Sequence, residues 1–286
     1  MRILIYVGDM IADLPGIYLG RLIAGRLNAE VTLLHVASKK RGKKFERQEG
    51  ENILEQARKE FGDLTVKVRY RRGNVAQKIL AEVEEKNHDM VVISATRLDG
   101  YPRKVSVTRD ILPKMPCCAL IAKNPKPEID RILLLTGGIR ASEPVIKMGS
   151  KLASAVDSRV TLLHVAANVP TMYTGLDTIE ETLEELLQTN TPVAKHLRWC
   201  ARVLTEHKVP SELKLKHGEL KYEIIREIDR EDYDLVIIGA SKIAPGIPEF
   251  FVGSVMKDLI DLVGIPVLVV NQTCAQRIND IKVLPN

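Results

Sequence analysis

VTLLHVA stands at Val31–Ala37 and returns, letter for letter, at Val160–Ala166. The offset is 129 residues. Arg2-Ile3-Leu4 recurs at the same offset as Arg131-Ile132-Leu133, and Pro15, Gly20 and Ala24 match Pro144, Gly149 and Ala153. Further along the offset widens. Gly73 matches Gly218, and HDMVVISA (from His88) matches YDLVIIGA (from Tyr233), both at 145. SVTRDIL (from Ser106) matches SVMKDLI (from Ser254) at 148. Self-similarity in a kept order marks a duplicated unit. The growing offset puts insertions in the second copy, the largest between Ala167 and Thr191.

Each unit reads β-α-β-α-β-α-β-α-β. In the first copy, strand 1 is about 2–7. Helix 1 runs from about Pro15 to Leu27, with Asp13 as the expected N-cap and Ser142 in the same place in the second copy. Strand 2 is VTLLHVA. Helix 2 is ENILEQARKEF, after a basic loop. Strand 3, LTVKVRY, alternates and suits a place near an edge. Helix 3 is VAQKILAEVEEK, strand 4 MVVIS, helix 4 about Ser106–Met115 and strand 5 CALIA. The second copy ends on VLVV (Val267–Val270). Near-continuous apolar strands indicate a parallel sheet covered on both faces. The fold class is therefore α/β. Domains are expected at 1–123 and 129–271, joined by the proline linker Lys123–Glu128 and followed by a polar tail, 272–286. The insertion carries TIEETLEELLQ, whose Ile179, Leu183, Leu186 and Leu187 share a helical face. It reads as an extra helix over a sheet edge or domain contact, or as a lid or partner-binding helix.

A chain of 286 residues, 45% apolar and 28% charged, has the composition of soluble two-domain proteins. No apolar run approaches the roughly 20 residues that span a bilayer. The start, MRILIYVGDM, is a strand without a signal-peptide pattern, so a cytoplasmic protein without a membrane partner is expected. Cys117-Cys118 look like buried strand residues, Cys200 and Cys274 are isolated, and no spacing suggests zinc. The net charge of +5 is uneven: residues 1–125 hold 23 of the 42 basic and 15 of the 37 acidic residues. The excess sits in KKRGKK (Lys39–Lys44) and RYRR (Arg69–Arg72). No aromatic interleaving accompanies it, so a solvated loop and strand end are the reading, and nucleic acid is not an expected partner.

The chemistry-bearing stretch is GASKIAPGIPEFFVGSV, Gly239–Val255. It joins the strand Leu235–Ile238 to the helix VMKDLIDLV. A helix start offers unpaired N–H groups and partial positive charge, which suit phosphate, and glycine lets backbone approach closely. Alone the signal is weak, because such loops often carry glycine for turn geometry only.

Together, the paired LLHV strands, a glycine after strand 3, the DLVIIGA strand, the Gly-Ser-Val helix start and the PVLVV strand resemble the universal stress protein family in its tandem form. The resemblance covers roughly residues 1–123 and 129–271. It implies two doubly wound five-stranded parallel sheets in the order 3-2-1-4-5, commonly binding ATP or AMP. The crevice then lies between strands 1 and 4. The family's nucleotide motif is Gly, two residues, Gly, nine residues, then Gly with Ser or Thr. The second copy keeps Gly239, Gly253 and Ser254, has Lys242 at the second glycine, and is one residue longer, with Gly246 inside the loop. The first copy has Ser94, Arg97 and Val105 at these places and keeps only Ser106. The family's adenine-facing Asp is replaced by Gly137 and Gly8. The resemblance thus implies a nucleotide in the second copy, with Gly239 giving close approach and Gly253, Ser254 and Val255 holding phosphate. Lys242 would neutralise charge, and Gly137, Gly138 and Val165 would line base and ribose. Thr136, Ile238 and Met256 complete the set.

His35 and His164 recur at the end of strand 2. With no carboxylate or nucleophile beside them in sequence, they read as shared scaffold. No Walker, GxSxG or HExxH pattern appears. Thr136-Gly137-Gly138 has Arg140 where a pyrophosphate-releasing synthetase would need Asp. The expectation is a stress-response protein that binds ATP or AMP and regulates rather than catalyses. The alternative is a nucleotide-free interaction module using the basic first copy. The two copies are expected to pack as an intramolecular pseudo-dimer through their fifth strands, CALIA and VLVV, with a further homodimer open.

Overall fold

A computed structural model describes residues 1–37, 43–95, 110–166, 182–240 and 258–271. By its internal contacts the chain divides into two units: Met1–Glu128 together with the residues from Gly264 on, and Ile129–Val263.

In the first unit the elements are β1 (Arg2–Tyr6), α1 (Met10–Arg26), β2 (Glu30–Ala37), α2 (Lys43–Lys59), β3 (Val66–Arg72), α3 (Val75–Lys86), β4 (Met90–Ser94) and β5 (Cys118–Ala122). The five strands are parallel in the order β3-β2-β1-β4-β5. The second unit holds β6 (Arg131–Thr136), α4 (Glu143–Val156), β7 (Arg159–Ala166), α5 (Leu183–Gln188), α6 (Pro192–Glu206), β8 (Ser211–His217), α7 (Leu220–Arg230) and β9 (Leu235–Gly239). Its strands are parallel in the order β9-β6-β7-β8. Strand β10 (Val267–Val270) pairs antiparallel with β5, Leu268 opposite Leu120.

The repeated letters occupy repeated places. Leu4 faces Thr32 across β1–β2, and Leu133 faces Thr161 across β6–β7. His35 faces Tyr70, and His164 faces Leu215. Gly20 of α1 and Gly149 of α4 let each first helix lie on its first strand. A Cβ on Gly20 would sit 2.5 Å from Ile5 Cδ1, and one on Gly149 2.5 Å from Leu134 Cδ1. Strand interiors are apolar because both faces are covered: Ile3–Ile5, Val91–Ile93, Ile132–Leu134 and Leu235–Ile237 are all buried.

Strand β3 runs two residues later than the sequence reading placed it, and two helix starts differ as well. Helix α1 starts at Met10, with Asp9 as N-cap accepting from Ala12 N–H (2.9 Å). Asp13 lies inside the helix and reaches back to the N–H groups of Gly8 (2.8 Å) and Asp9 (3.0 Å). Helix α2 starts at Lys43, so the end of the basic run belongs to the helix rather than to a loop. In the second unit Ser142 does stand at the N-cap of α4, but its hydroxyl accepts from Gly137 N–H (3.0 Å), the counterpart of the Gly8–Asp13 bond.

The insertion helix α5 is closed by a Thr182–Glu185 capping box. Its Leu186 is buried with Ala194 and Leu197 of α6, and Leu213 and Leu215 of the edge strand β8 pack against them. This is the covering role. Ile179, the first four residues expected in helix 4 (106–109) and the 272–286 tail lie outside the described residues, and Leu112–Lys114 near its end form a 3-10 turn. No helix among the described residues is long and apolar enough to cross a membrane.

Candidate functional site

The carboxyl ends of β9, β6 and β7 lie side by side in the second unit. The β6–β9 register, Leu134 opposite Ile237, carries Ile238 and Gly239 alongside the end of β6. The β6–β7 register, Thr136 opposite His164, places Val165 one residue beyond. The chain leaves β6 toward β7, while β9 lies on the other flank. That reversal is where parallel α/β sheets take ligands. Gly239 and Val165 are half-buried there, Gly137 is exposed, and Ile238 is buried. Lys242, Gly253, Ser254, Val255 and Met256 lie outside the described residues.

The loop after β6 is tightly determined. The Thr136 hydroxyl accepts from Gly138 N–H (3.2 Å) and lies 2.9 Å from His196 Nε2. His164 Nδ1 donates to the Thr136 carbonyl (3.1 Å). Gly138 has φ +71°, and a Cβ there would lie 2.7 Å from His164 Cε1. The N–H groups of Gly137 and Gly138 are thus taken by Ser142 and Thr136. The loop can offer a glycine-smooth wall to a ligand, while its own side chains fix its shape. Thr136 is a positioning residue.

Behind this loop is a buried cluster that the sequence did not reveal. His196 Nε2 lies 3.3 Å from Cys200 Sγ, and the imidazole stacks on Trp199 at 5.7 Å. Burial holds the His164 and His196 imidazoles below the usual histidine range. Burial also pushes the Cys200 thiol up to about 12, so it stays protonated and unreactive. The only available signal was a reciprocal exchange of size. In the first unit Gly50 leaves room for Tyr70, which stacks on His35. In the second, His196 stands at the place of Gly50 and Leu215 at that of Tyr70. Among the described residues no group of three or more His, Cys, Asp or Glu is placed to hold a metal ion.

The repeated histidines act alike. His35 Nδ1 donates to the Val7 carbonyl (2.8 Å), as His164 does to Thr136. Each ties the end of its unit's second strand to the end of the first, which is a scaffold role.

In the first unit the matching corner is filled from within. Ser94 stands where the second copy has Gly239. Its buried hydroxyl accepts from Gly16 N–H (2.9 Å) and donates to the Asp13 carbonyl (3.1 Å). Pro15 has already removed one donor from this turn of α1, and Ser94 satisfies the turn from the neighbouring strand.

The basic strand β3 also has an internal partner. Glu82 of α3 is buried, and Arg71 Nη2 bonds it at 2.6 Å, with Arg69 Nε 3.6 Å from its other oxygen. Arg71 also reaches Glu85 at 2.6 Å. The second unit repeats the plan with Lys214 and Lys216 against the buried Glu227, which Tyr233 OH joins at 2.9 Å. Burial pushes the Glu227 carboxyl up, but its bonds to Lys214 and Tyr233 outweigh this and hold it below the usual range. The arginines of RYRR therefore neutralise a buried carboxylate in addition to facing solvent.

Residues 18–123 and 128–271 each match the model of the Universal stress protein family. The chain belongs to that family. Two solved structures superpose on nearly all of it. One is a functionally unknown protein from Pseudomonas aeruginosa PAO1, 18% identical, covering 98% of this chain and 95% of the other, with a TM-score of 0.68. The other is a universal stress protein from Archaeoglobus fulgidus DSM 4304, 13% identical, covering 94% and 96%, also at 0.68. At these identities the likeness is one of fold, and it agrees with two tandem α/β domains. No curated protein matches the chain.

Proposed function

We propose that this protein is a tandem universal stress protein whose second domain binds an adenine nucleotide, ATP or AMP, and that it regulates rather than catalyses. The observation that carries the reading is the convergence of Gly239, Gly137 and Val165 at the ends of β9, β6 and β7. The sequence supplies Gly253-Ser254 to the same junction, and Lys242 adds a cation for phosphate. The contrast with the first domain supports the assignment, since Ser94 there is committed to α1. We further propose that the two copies act as an intramolecular pseudo-dimer, a reading supported by the antiparallel β5–β10 pairing. The alternative, a nucleotide-free module acting through a basic first domain, is weakened by the engagement of Arg69 and Arg71 with Glu82. The direct test is to purify the full chain under native conditions, release bound small molecules with acid and identify them by mass spectrometry. ATP or AMP near one equivalent supports the proposal. No nucleotide, before or after incubation with millimolar ATP, overturns it.

A further inference from the structure

Helix α1 is apolar on both sides. Its inner face buries Ile17, Leu19, Ile23 and Ala24. Its outer face nevertheless presents Ile11, 76% exposed, and Tyr18, 43% exposed, with half-buried Leu14 and Leu22 between and beyond them. These four share one stripe, at spacings of three, four and four residues. A helix that is apolar all round belongs to a buried setting. The duplication supplies an internal control. At the same four places α4 and its approach carry Arg140, Glu143, Lys147 and Lys151. The scaffold therefore accepts charge there, and the apolar stripe is particular to the first domain.

We propose that this face is the contact between two copies of the chain, paired as antiparallel α1 helices about a two-fold axis through Tyr18. The stripe is self-complementary in that register. Leu14 of one copy meets Leu22 of the other. Ile11, the most exposed large apolar side chain among the described residues, meets Gly25, an exposed glycine with no atom within 4 Å of where its Cβ would lie. A knob thus faces a hole. The ends match in charge as well: exposed Asp9 at the start of one helix comes beside exposed Arg26 in the last turn of the other. Such an isologous contact requires the same patch to fit itself. The Arg21 guanidinium already lies over the Tyr18 ring at 5.7 Å and donates to the Glu60 carbonyl (2.9 Å), so the central aromatic is held in place. The stripe from Ile11 to Leu22 is only roughly 17 Å long at 1.5 Å per residue. A contact confined to so short a stripe is smaller than a standard interface of roughly 800 Å² per partner. The dimer is therefore reversible, and its formation depends on protein concentration.

The test is sedimentation velocity on the full chain from about one to several hundred micromolar, with Ile11→Arg and Tyr18→Lys. These variants install the residues that the second domain tolerates at the same positions. Lys147→Ser on α4 is the control. The wild type and the control should shift from monomer to dimer with rising concentration, and both α1 variants should weaken dimerisation at least tenfold without lowering the melting temperature of the dilute monomer. A wild type that stays monomeric throughout, or a dimer that both variants leave intact, overturns the proposal. So does a loss of monomer stability in both variants, which would show the stripe covered by its own chain.

Discussion

Gly138→Ala tests whether the loop after β6 is as tightly determined as its contacts indicate. Two costs add. At φ +71° a side chain brings the steric penalty of the left-handed region, about 1–2 kcal/mol. The new Cβ would also sit 2.7 Å from His164 Cε1 and 3.1 Å from Val193 Cγ1. The imidazole must give way, and its bond to the Thr136 carbonyl contributes about 0.5–1.5 kcal/mol. The expected loss is on the order of 2–3 kcal/mol. Gly137→Ala is the matched control, because its Cβ would meet only ordinary contacts, Ser142 Oγ at 3.4 Å and Ile139 Cγ1 at 3.8 Å. It should change stability by less than about 0.5 kcal/mol. Urea unfolding followed by fluorescence reads the right place: the chain has one tryptophan, Trp199, stacked on His196 behind this loop. Equal midpoints for the two variants, or a larger loss at Gly137, would refute the reasoning.

Three further outcomes are expected. Ser94→Ala leaves the Gly16 N–H without its buried acceptor and should cost about 1–3 kcal/mol in the first domain, measured by urea unfolding, with nucleotide affinity unchanged; a neutral substitution would contradict the role given to that hydroxyl. Acid should destabilise the fold through His88, His164 and His196, each held low chiefly by burial: the unfolded chain takes up protons first, so their contribution is full above about pH 6.5 and is lost as pH falls below it toward the folded-state values. His196→Gln should flatten that limb of a stability–pH profile read at Trp199, and an unchanged slope would exclude His196 as a contributor. Lys242→Ala should weaken ATP binding about tenfold, since a charge-assisted bond to phosphate contributes on the order of 1.5–3 kcal/mol, and AMP binding less; equal ATP affinity at low salt would remove Lys242 from the site.

The architecture was open to reading because the duplicated letters occupy the same sheet register in both copies, as Leu4–Thr32 and Leu133–Thr161 show. Boundaries were less so. Asp9 and Asp13 are both able to cap a helix, and only the folded chain shows that Asp13 reaches back to Gly8 and Asp9 while Asp9 caps Ala12. The buried partner of RYRR was hidden because Glu82 sits eleven residues after Arg71, on another element. Counting charge along the chain cannot show such a pair. The His196–Cys200–Thr136 cluster escaped for a similar reason. His196 corresponds to Gly50 and Leu215 to Tyr70, and their exchange of bulk becomes visible only when the two sheets are compared strand by strand.

The central claim is a nucleotide site in the second domain and none in the first. Calorimetric titration with ATP and AMP, on wild type, Gly253→Val and Ser106→Ala, addresses it most directly. The account predicts one site per chain, lost in Gly253→Val and kept in Ser106→Ala. Equal loss in both variants, or no heat of binding in the wild type, would contradict it.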